Sequence, residues 1–310
     1  MVISTDSHTR LSELLTHPTE LRAQVDLIVN SAPVADAHTH LFPPEFNELC
    51  LWGIDELLTY HYLTAEALRS ARTTYEQFWK MSKTDQADLV WKTLFVDNTP
   101  TSEAAQGIIS VLDVFGLDTR APDLKEARAF FRSQRLTEHL DQVFDIARVS
   151  GVVMTNDPFD DAEDRLWSSS VSVDRRFSSS LRLDSLINTS LVNTADVAVS
   201  TAARVRTFLD DWIQRRNPVY MALSLPPDFN FPSDDTRDRL LREVILPTAK
   251  EHRLALTLMV GVRRGVNPKL RDAGDALGRA DVASVERLCA EYTDVKFLVT
   301  FLSRENQHEL

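Results

Sequence analysis

The sequence predicts an α/β protein built on a parallel sheet, and three observations carry this reading. Short, nearly continuous apolar runs recur at residues 34–42, 150–157, 181–188, 219–225, 254–261 and 295–302. The segments between the later runs repeat their apolar residues at helical spacing. Strands without polar alternation are buried on both faces, and intervening helices supply the cover, which is the pattern of a parallel rather than an antiparallel sheet. No GxGxxG follows any of these strands and the chain holds only 8 glycines, so dinucleotide binding has no support. Six strands admit either a barrel short of two of its eight or an open doubly wound sheet.

The elements follow in order. A helical lead over about 9–29 precedes the first strand, VADAHTHLF. Residues 45–147 then show helical periodicity with many aromatics, among them Trp52, Tyr75, Phe78, Trp79 and Trp91. Within them, Leu136, Leu140, Val143, Phe144 and Ala147 share one helical face. The remaining strands alternate with amphipathic stretches. Val205, Phe208, Leu209, Trp212 and Ile213 form one apolar face, and Leu240, Leu241, Val244 and Ile245 form part of another that ends or kinks before Pro247. Val282, Val285, Leu288, Cys289 and Tyr292 form a third, which makes Cys289 a core thiol.

Composition narrows the function classes. A formal charge of −12 with no Lys/Arg-rich segment excludes nucleic acid as a partner. It also means that an anionic substrate must be held by a few local arginines rather than drawn in by the field of the whole protein. No apolar run reaches bilayer length, and the N-terminus lacks the regions of a signal peptide, so no membrane partner is expected. Two distant cysteines, Cys50 and Cys289, form no CxxC and suit a reducing, cytoplasmic location.

The sharpest chemical signal is Asp36-Ala37-His38-Thr39-His40 at the end of the first strand. Side chains two apart on a strand share a face, so His38 and His40 can reach one ion. Neutral imidazoles suit a divalent metal such as zinc, with manganese, iron or nickel as alternatives. Two histidines packing at a strand end would look the same in so short a pattern. A second cluster, Tyr60-His61-Tyr62, opens a helical stretch and places an imidazole beside phenols. It can relay protons and bind hydroxyls, or it can be a polar helix edge.

Four segments in order along the chain, DAHTHL, YHYLTAEALR, MTNDPFDD and SLRLD, resemble the uronate isomerases of the amidohydrolase superfamily. The likeness runs from about residue 33 to residue 310, with LMVGVRRGVNP and FLVTFLSRENQHEL resembling the family's fifth and sixth strand regions. It implies a TIM-type (β/α)8 barrel of the metal-dependent hydrolase class, with a helical insertion after the first strand and about six barrel strands in this chain. Residues 1–310 then form a single barrel domain, incomplete at its C-terminal end, with the insertion at about 45–147.

The activity implied is aldose–ketose isomerisation of a hexuronic acid of the glucuronate/fructuronate type, by enediol proton transfer. The resemblance makes His38 and His40 ligands of a divalent metal, zinc first. It makes His61 and Tyr62 catalytic, lying over the substrate, and makes Arg182 the substrate-binding residue. An arginine fork orients a carboxylate through two parallel charge-assisted bonds.

The sequence departs from the family in two places. The strand-eight Asp that completes the metal site, with its nearby Arg, has no counterpart before Leu310, which is expected if the chain is a piece of a longer protein. The family's fifth-strand His is replaced by Met259 in Leu258-Met259-Val260-Gly261, and a thioether cannot carry a proton. Asp157 is a candidate to complete the metal site, although an Asn-Asp-Pro turn also explains it. Asp160, Asp161 and Glu163 read as solvated turn or helix-start charges. Six strands leave two sheet edges to be covered, so a homo-oligomer is expected alongside a small-molecule sugar acid as partner.

Two other functions fit the same motif. A superfamily hydrolase of an amide, ester or lactone would use a metal-bound hydroxide, and an inactive barrel-derived binding protein would hold no metal.

Overall fold

The computed structural model describes residues 18–168, 173–188 and 199–310. The helical lead expected at 9–29 falls partly outside them and is described as α1, Pro18–Ser31. The first strand, β1 (Val34–Thr39), is followed by a run of helices: α2 (Ile54–Leu58), α3 (His61–Ala67), α4 (Tyr75–Lys80), α5 (Lys83–Trp91), α6 (Glu103–Val114), α7 (Lys125–Ser133) and α8 (Leu136–Ala147). Side-chain caps define several of their starts. Thr74 and Gln77 close a capping box on α4, and the Ser82 and Ser102 hydroxyls accept N–H bonds at the starts of α5 and α6. These helices enclose their own apolar cluster, which includes Ile54, Leu58, Phe78, Trp91, Leu112 and Phe131.

Strand β2 (Val149–Met154) leads to α9 (Asp161–Ser168), then to β3 (Phe177–Ser178) and β4 (Leu181–Arg182). The apolar run at 181–188, expected as one strand, changes conformation part-way. The Leu183 N–H still bonds to the Ala222 carbonyl, but residues 184–188 form the one-turn helix α10 (Asp184–Asn188). The turn to helix coincides with capture of the Asp184 carboxylate by the Ser224 N–H of the neighbouring strand. The remaining elements are α11 (Val199–Arg216), β5 (Tyr220–Leu225), α12 (Thr236–Leu240), α13 (Leu246–His252), β6 (Ala255–Val260), β7 (Val262–Arg263), β8 (Ala276–Leu277), α14 (Val282–Glu291) and β9 (Phe297–Phe301). The irregularity expected near Pro247 is a π-helical turn, Leu241–Ile245, which joins α12 to α13. Widening the helix there accommodates a ring that would otherwise clash with the preceding turn.

Strands β1–β2–β3 pair in parallel, as do β4–β5–β6–β9. The two sheets are continuous: the Ser180 and Arg182 N–H groups bond to the Met154 and Asn156 carbonyls, while the Val219 N–H bonds to Ser179. Thus β3 and β4 are halves of one bent strand between β2 and β5, and the sheet has six parallel positions in chain order. Closure into a barrel is not seen among the described residues; β1 and β9 are the two edges. The sheet is nevertheless sharply curled. Three inter-strand steps separate β1 from β5, roughly 14 Å in a flat sheet, yet the Tyr220 hydroxyl donates to the Ala37 carbonyl at 2.7 Å. The helix-facing residues Leu181, Met221, Leu223, Leu256 and Leu258 are fully buried in the main core, and Cys289 packs against it as expected. No helix is long and apolar enough to cross a membrane, among the described residues.

Candidate functional site

The site forms where β1, β2 and β4 end, on the concave side of the curled sheet. In β1 the Asp36 carboxylate accepts the His38 N–H at 3.1 Å, and the register with β2 shifts between Asp36 and Thr39. Such a bulge re-aims side chains at a strand end. The His38 and His40 rings lie with centroids 5.5 Å apart and planes at 89°.

Neighbouring hydroxyls orient both rings. The Thr155 hydroxyl donates to the Thr39 carbonyl at 3.2 Å, so its oxygen accepts from Nδ1 of His40, 3.0 Å away. Tyr220, whose proton is directed at Ala37, has its oxygen 3.4 Å from Nδ1 of His38. With Nδ1 protonated in each ring, the lone pair of each imidazole lies on Nε2, the arrangement that outer hydrogen bonds impose on metal-ligating histidines.

Both rings are held neutral. Burial of the ring, then the His38, Arg182 and His61 charges, lower His40 to about 4. Burial and Arg182 lower His38 against the opposing pull of Asp36 and Asp184. Both residues still reach solvent. Two neutral, oriented imidazoles fit half of a divalent-metal sphere. No third His, Cys, Asp or Glu joins them in a metal-binding group among the described residues. Asp157, the carboxylate considered for that role, instead accepts the Phe159 N–H and the Ser185 hydroxyl, as an Asx turn does.

His61 is the first residue of α3, with its ring centroid 4.2 Å from Tyr60 and 4.1 Å from Tyr62. Burial lowers its pKa, while Asp272 and Asp275 oppose the shift. Tyr62 is 64% exposed. The same helix start thus carries an imidazole of lowered pKa beside an exposed phenol.

Arg182 ends β4. Its Nε and Nη2 both donate to Oδ2 of Asp184, at 2.9 and 2.7 Å. Burial alone would raise the Asp184 carboxyl, but Arg182 and the Ser224 N–H outweigh it and hold the group below the ordinary carboxylate range. Arg182 also acts electrostatically on His38, His40 and Tyr60, so its charge is felt across the site.

One sequence reading needs correction. Glu163 is not a solvated helix-start charge. It is 7% exposed and accepts the Asn156 side-chain amide at 3.0 Å and the Asp157 N–H at 3.3 Å. Burial raises its pKa to about 7 against those bonds. Asp160 is the residue that caps this helix, accepting the Ala162 and Glu163 N–H groups. Counting acidic residues near a turn could not distinguish the two; the i+3 spacing from a capping Asp was the available signal. The sequence reading also missed Thr155, Tyr220, Asp184 and Arg264, each remote in sequence from the histidine motif.

A cavity of about 670 Å³ lies elsewhere, bordered by Trp52, Asp55, Arg128 and Phe131. Its Arg128 is bound by Asp55 and Asp88, so it reads as a packing feature of the helical layer.

A parallel α/β enzyme with its polar groups gathered at the C-terminal strand ends is the class that this fold and site define. No protein-family model matches the chain, and no curated protein matches it. Solved structures do. A uronate isomerase from Bacillus halodurans C-125 is 47% identical, with a TM-score of 0.87 over 93% of this chain and 71% of its own. The chain therefore belongs to the uronate isomerase family and is an isomerase. A glucuronate isomerase from Caulobacter crescentus is 14% identical, with a TM-score of 0.64 over 89% of this chain and 70% of its own. A uronate isomerase from Thermotoga maritima is 13% identical, with a TM-score of 0.56 over 90% and 72%. These last two share the fold.

Proposed function

We propose that the protein interconverts the aldose and ketose forms of a hexuronic acid, with a divalent metal held by His38 and His40. Family membership supports the substrate class. The observation that carries the reading is the oriented histidine pair at the end of β1, with Arg182 and His61 within electrostatic reach of it.

In this reading Arg182 takes the carboxylate of the open-chain sugar and fixes its orientation, which turns proton transfer into a local step. Transfer between C2 and C1 passes through an enediol. A bound metal would act as a Lewis acid on the carbonyl oxygen. His61, uncharged near neutrality, accepts and returns a proton at the substrate oxygens, and Tyr62 beside it donates a hydrogen bond there. The complete catalytic unit in this reading is an eight-stranded (β/α) barrel, to which this curled six-position sheet corresponds in strand order. It acts in the cytoplasm.

NMR of glucuronate and fructuronate with the purified protein tests the reaction, with lactones and amides as the competing panel. Slow interconversion of the sugar acids with no hydrolysis supports the proposal, and hydrolysis without isomerisation overturns it. Elemental analysis tests the metal. His38→Ala should abolish both stoichiometric metal and turnover, and full activity in a metal-free preparation would reject the metal's role.

A further inference from the structure

Asp184 holds more positive charge than its own neutralisation requires. Its Oδ2 accepts Arg182, the Ser224 hydroxyl at 2.9 Å and Nη2 of Arg264 at 2.9 Å, while Oδ1 accepts the Ser224 N–H at 2.6 Å. One carboxylate, 8% exposed, is thus flanked by two guanidiniums, of which Arg182 is 26% and Arg264 45% exposed. Arg182 and Ser224 already satisfy a buried carboxylate. The second guanidinium is shared between Asp184 and Asp275, and the bridge sets two arginines side by side beyond the ends of β4 and β6.

Arg264 arrives from a different part of the chain. It lies in the hairpin formed by antiparallel β7 and β8. That hairpin is fixed to the helical layer: the Trp79 indole N–H donates to the Lys269 carbonyl at 2.8 Å, and the Arg271 guanidinium stacks 4.5 Å over the Trp79 ring. Its base is shaped by Asp275, which accepts the Gly265 N–H at 2.7 Å and stands 3.4 Å from Nη1 of Arg264. Asp275, at 34% exposed, is the longer and more solvent-accessible of the two carboxylate contacts to Arg264. An incoming carboxylate can replace it without disturbing Asp184.

We propose that Arg264 is a second substrate-positioning residue, set beside Arg182 by their shared Asp184, and that the two arginines together select sugars bearing a carboxylate over neutral ones. This rests on the reading of the site as one for hexuronic acids. Two guanidiniums on one carboxylate also restrict its rotation more than a single fork does.

The test compares the full chain with Arg264→Ala, Arg264→Lys and Arg182→Ala. Calorimetric titration uses glucuronate and, as the neutral probe, glucose; turnover of glucuronate and thermal midpoints are measured in parallel. Arg264→Ala should weaken glucuronate binding and raise KM by about 10- to 100-fold. It should change kcat far less and leave affinity for glucose unaltered. Arg264→Lys, which keeps the charge, should recover part of the loss. The proposal is overturned if Arg264→Ala binds glucuronate as the wild type does, if it loses both sugars equally with a lowered midpoint, or if the wild type prefers neither sugar. Should Arg264→Ala lose glucuronate selectively while no hexuronate is isomerised, the arginine pair stands and the proposed reaction fails.

Discussion

The Thr155 hydroxyl oxygen lies 3.0 Å from Nδ1 of His40 and gives its own proton to the Thr39 carbonyl. One buried side chain just past the end of β2 thereby selects the tautomer of a histidine at the end of β1. Replacing Thr155 with Val keeps the shape and removes the acceptor. Metal affinity should fall by about 10-fold or more, as for loss of other outer hydrogen bonds to ligating histidines. Competition with a chelator measures it, and unchanged affinity would show that the tautomer is set elsewhere.

Glu163 and His40 make opposite contributions to stability across the acid range. His40, lowered to about 4 from 6.5, binds its proton more weakly in the folded chain. Its contribution is present above pH 6.5 and lost as pH falls toward 4. Glu163, raised to about 7 from 4.5, binds its proton more tightly when folded. Its contribution is present below pH 4.5 and lost as pH rises through 7. Glu163→Gln mimics the protonated side chain, so the variant should gain stability over wild type as pH rises from 5 to 8, by up to about 3 kcal/mol. Thermal melts at each pH check this; a difference that stays constant with pH would refute the buried-carboxyl reading.

The Tyr220–Ala37 bond spans the curl of the sheet. Tyr220→Phe leaves the ring in place and strands the carbonyl of Ala37, at a cost of about 1 kcal/mol to stability. Because the same oxygen faces His38, the variant should also weaken metal binding. Urea denaturation with metal titration separates the two effects, and a variant as stable as wild type with full metal affinity would rule out the brace.

Much of the fold was legible because burial writes itself into local pattern. Strands β2, β5, β6 and β9 lie in the near-continuous apolar runs, but of these four only β5 is buried along its whole length; β2 and β6 bury alternate residues, and β9, at an edge of the sheet, is largely exposed. The helices of residues 45–147 were visible for the complementary reason, that a packed helix repeats its apolar residues at 3.6. The third run was half misread: Leu181 to Leu183 continue the sheet, whereas Asp184 to Asn188 are helical. That conversion coincides with a contact to a backbone donor, Ser224, forty residues away.

The candidate site divides along the same line. The sequence by itself determined the residues whose neighbours in space are also neighbours in the chain: the pair His38 and His40, two apart on a strand end, and His61 beside Tyr60 and Tyr62 on one helical turn. Only the tertiary structure decided which partners orient and charge them. Thr155 reaches His40 from the neighbouring strand end and Tyr220 reaches His38 across the curl of the sheet, while Glu163 is buried against Asn156 and Asp157 just past the end of β2. Asp184 gathers Arg182, two residues before it, and Arg264, eighty residues after it. Hydrogen-bond direction, burial and shared charge depend on distances of about 3 Å between groups far apart along the chain, and local spacing carries no record of them.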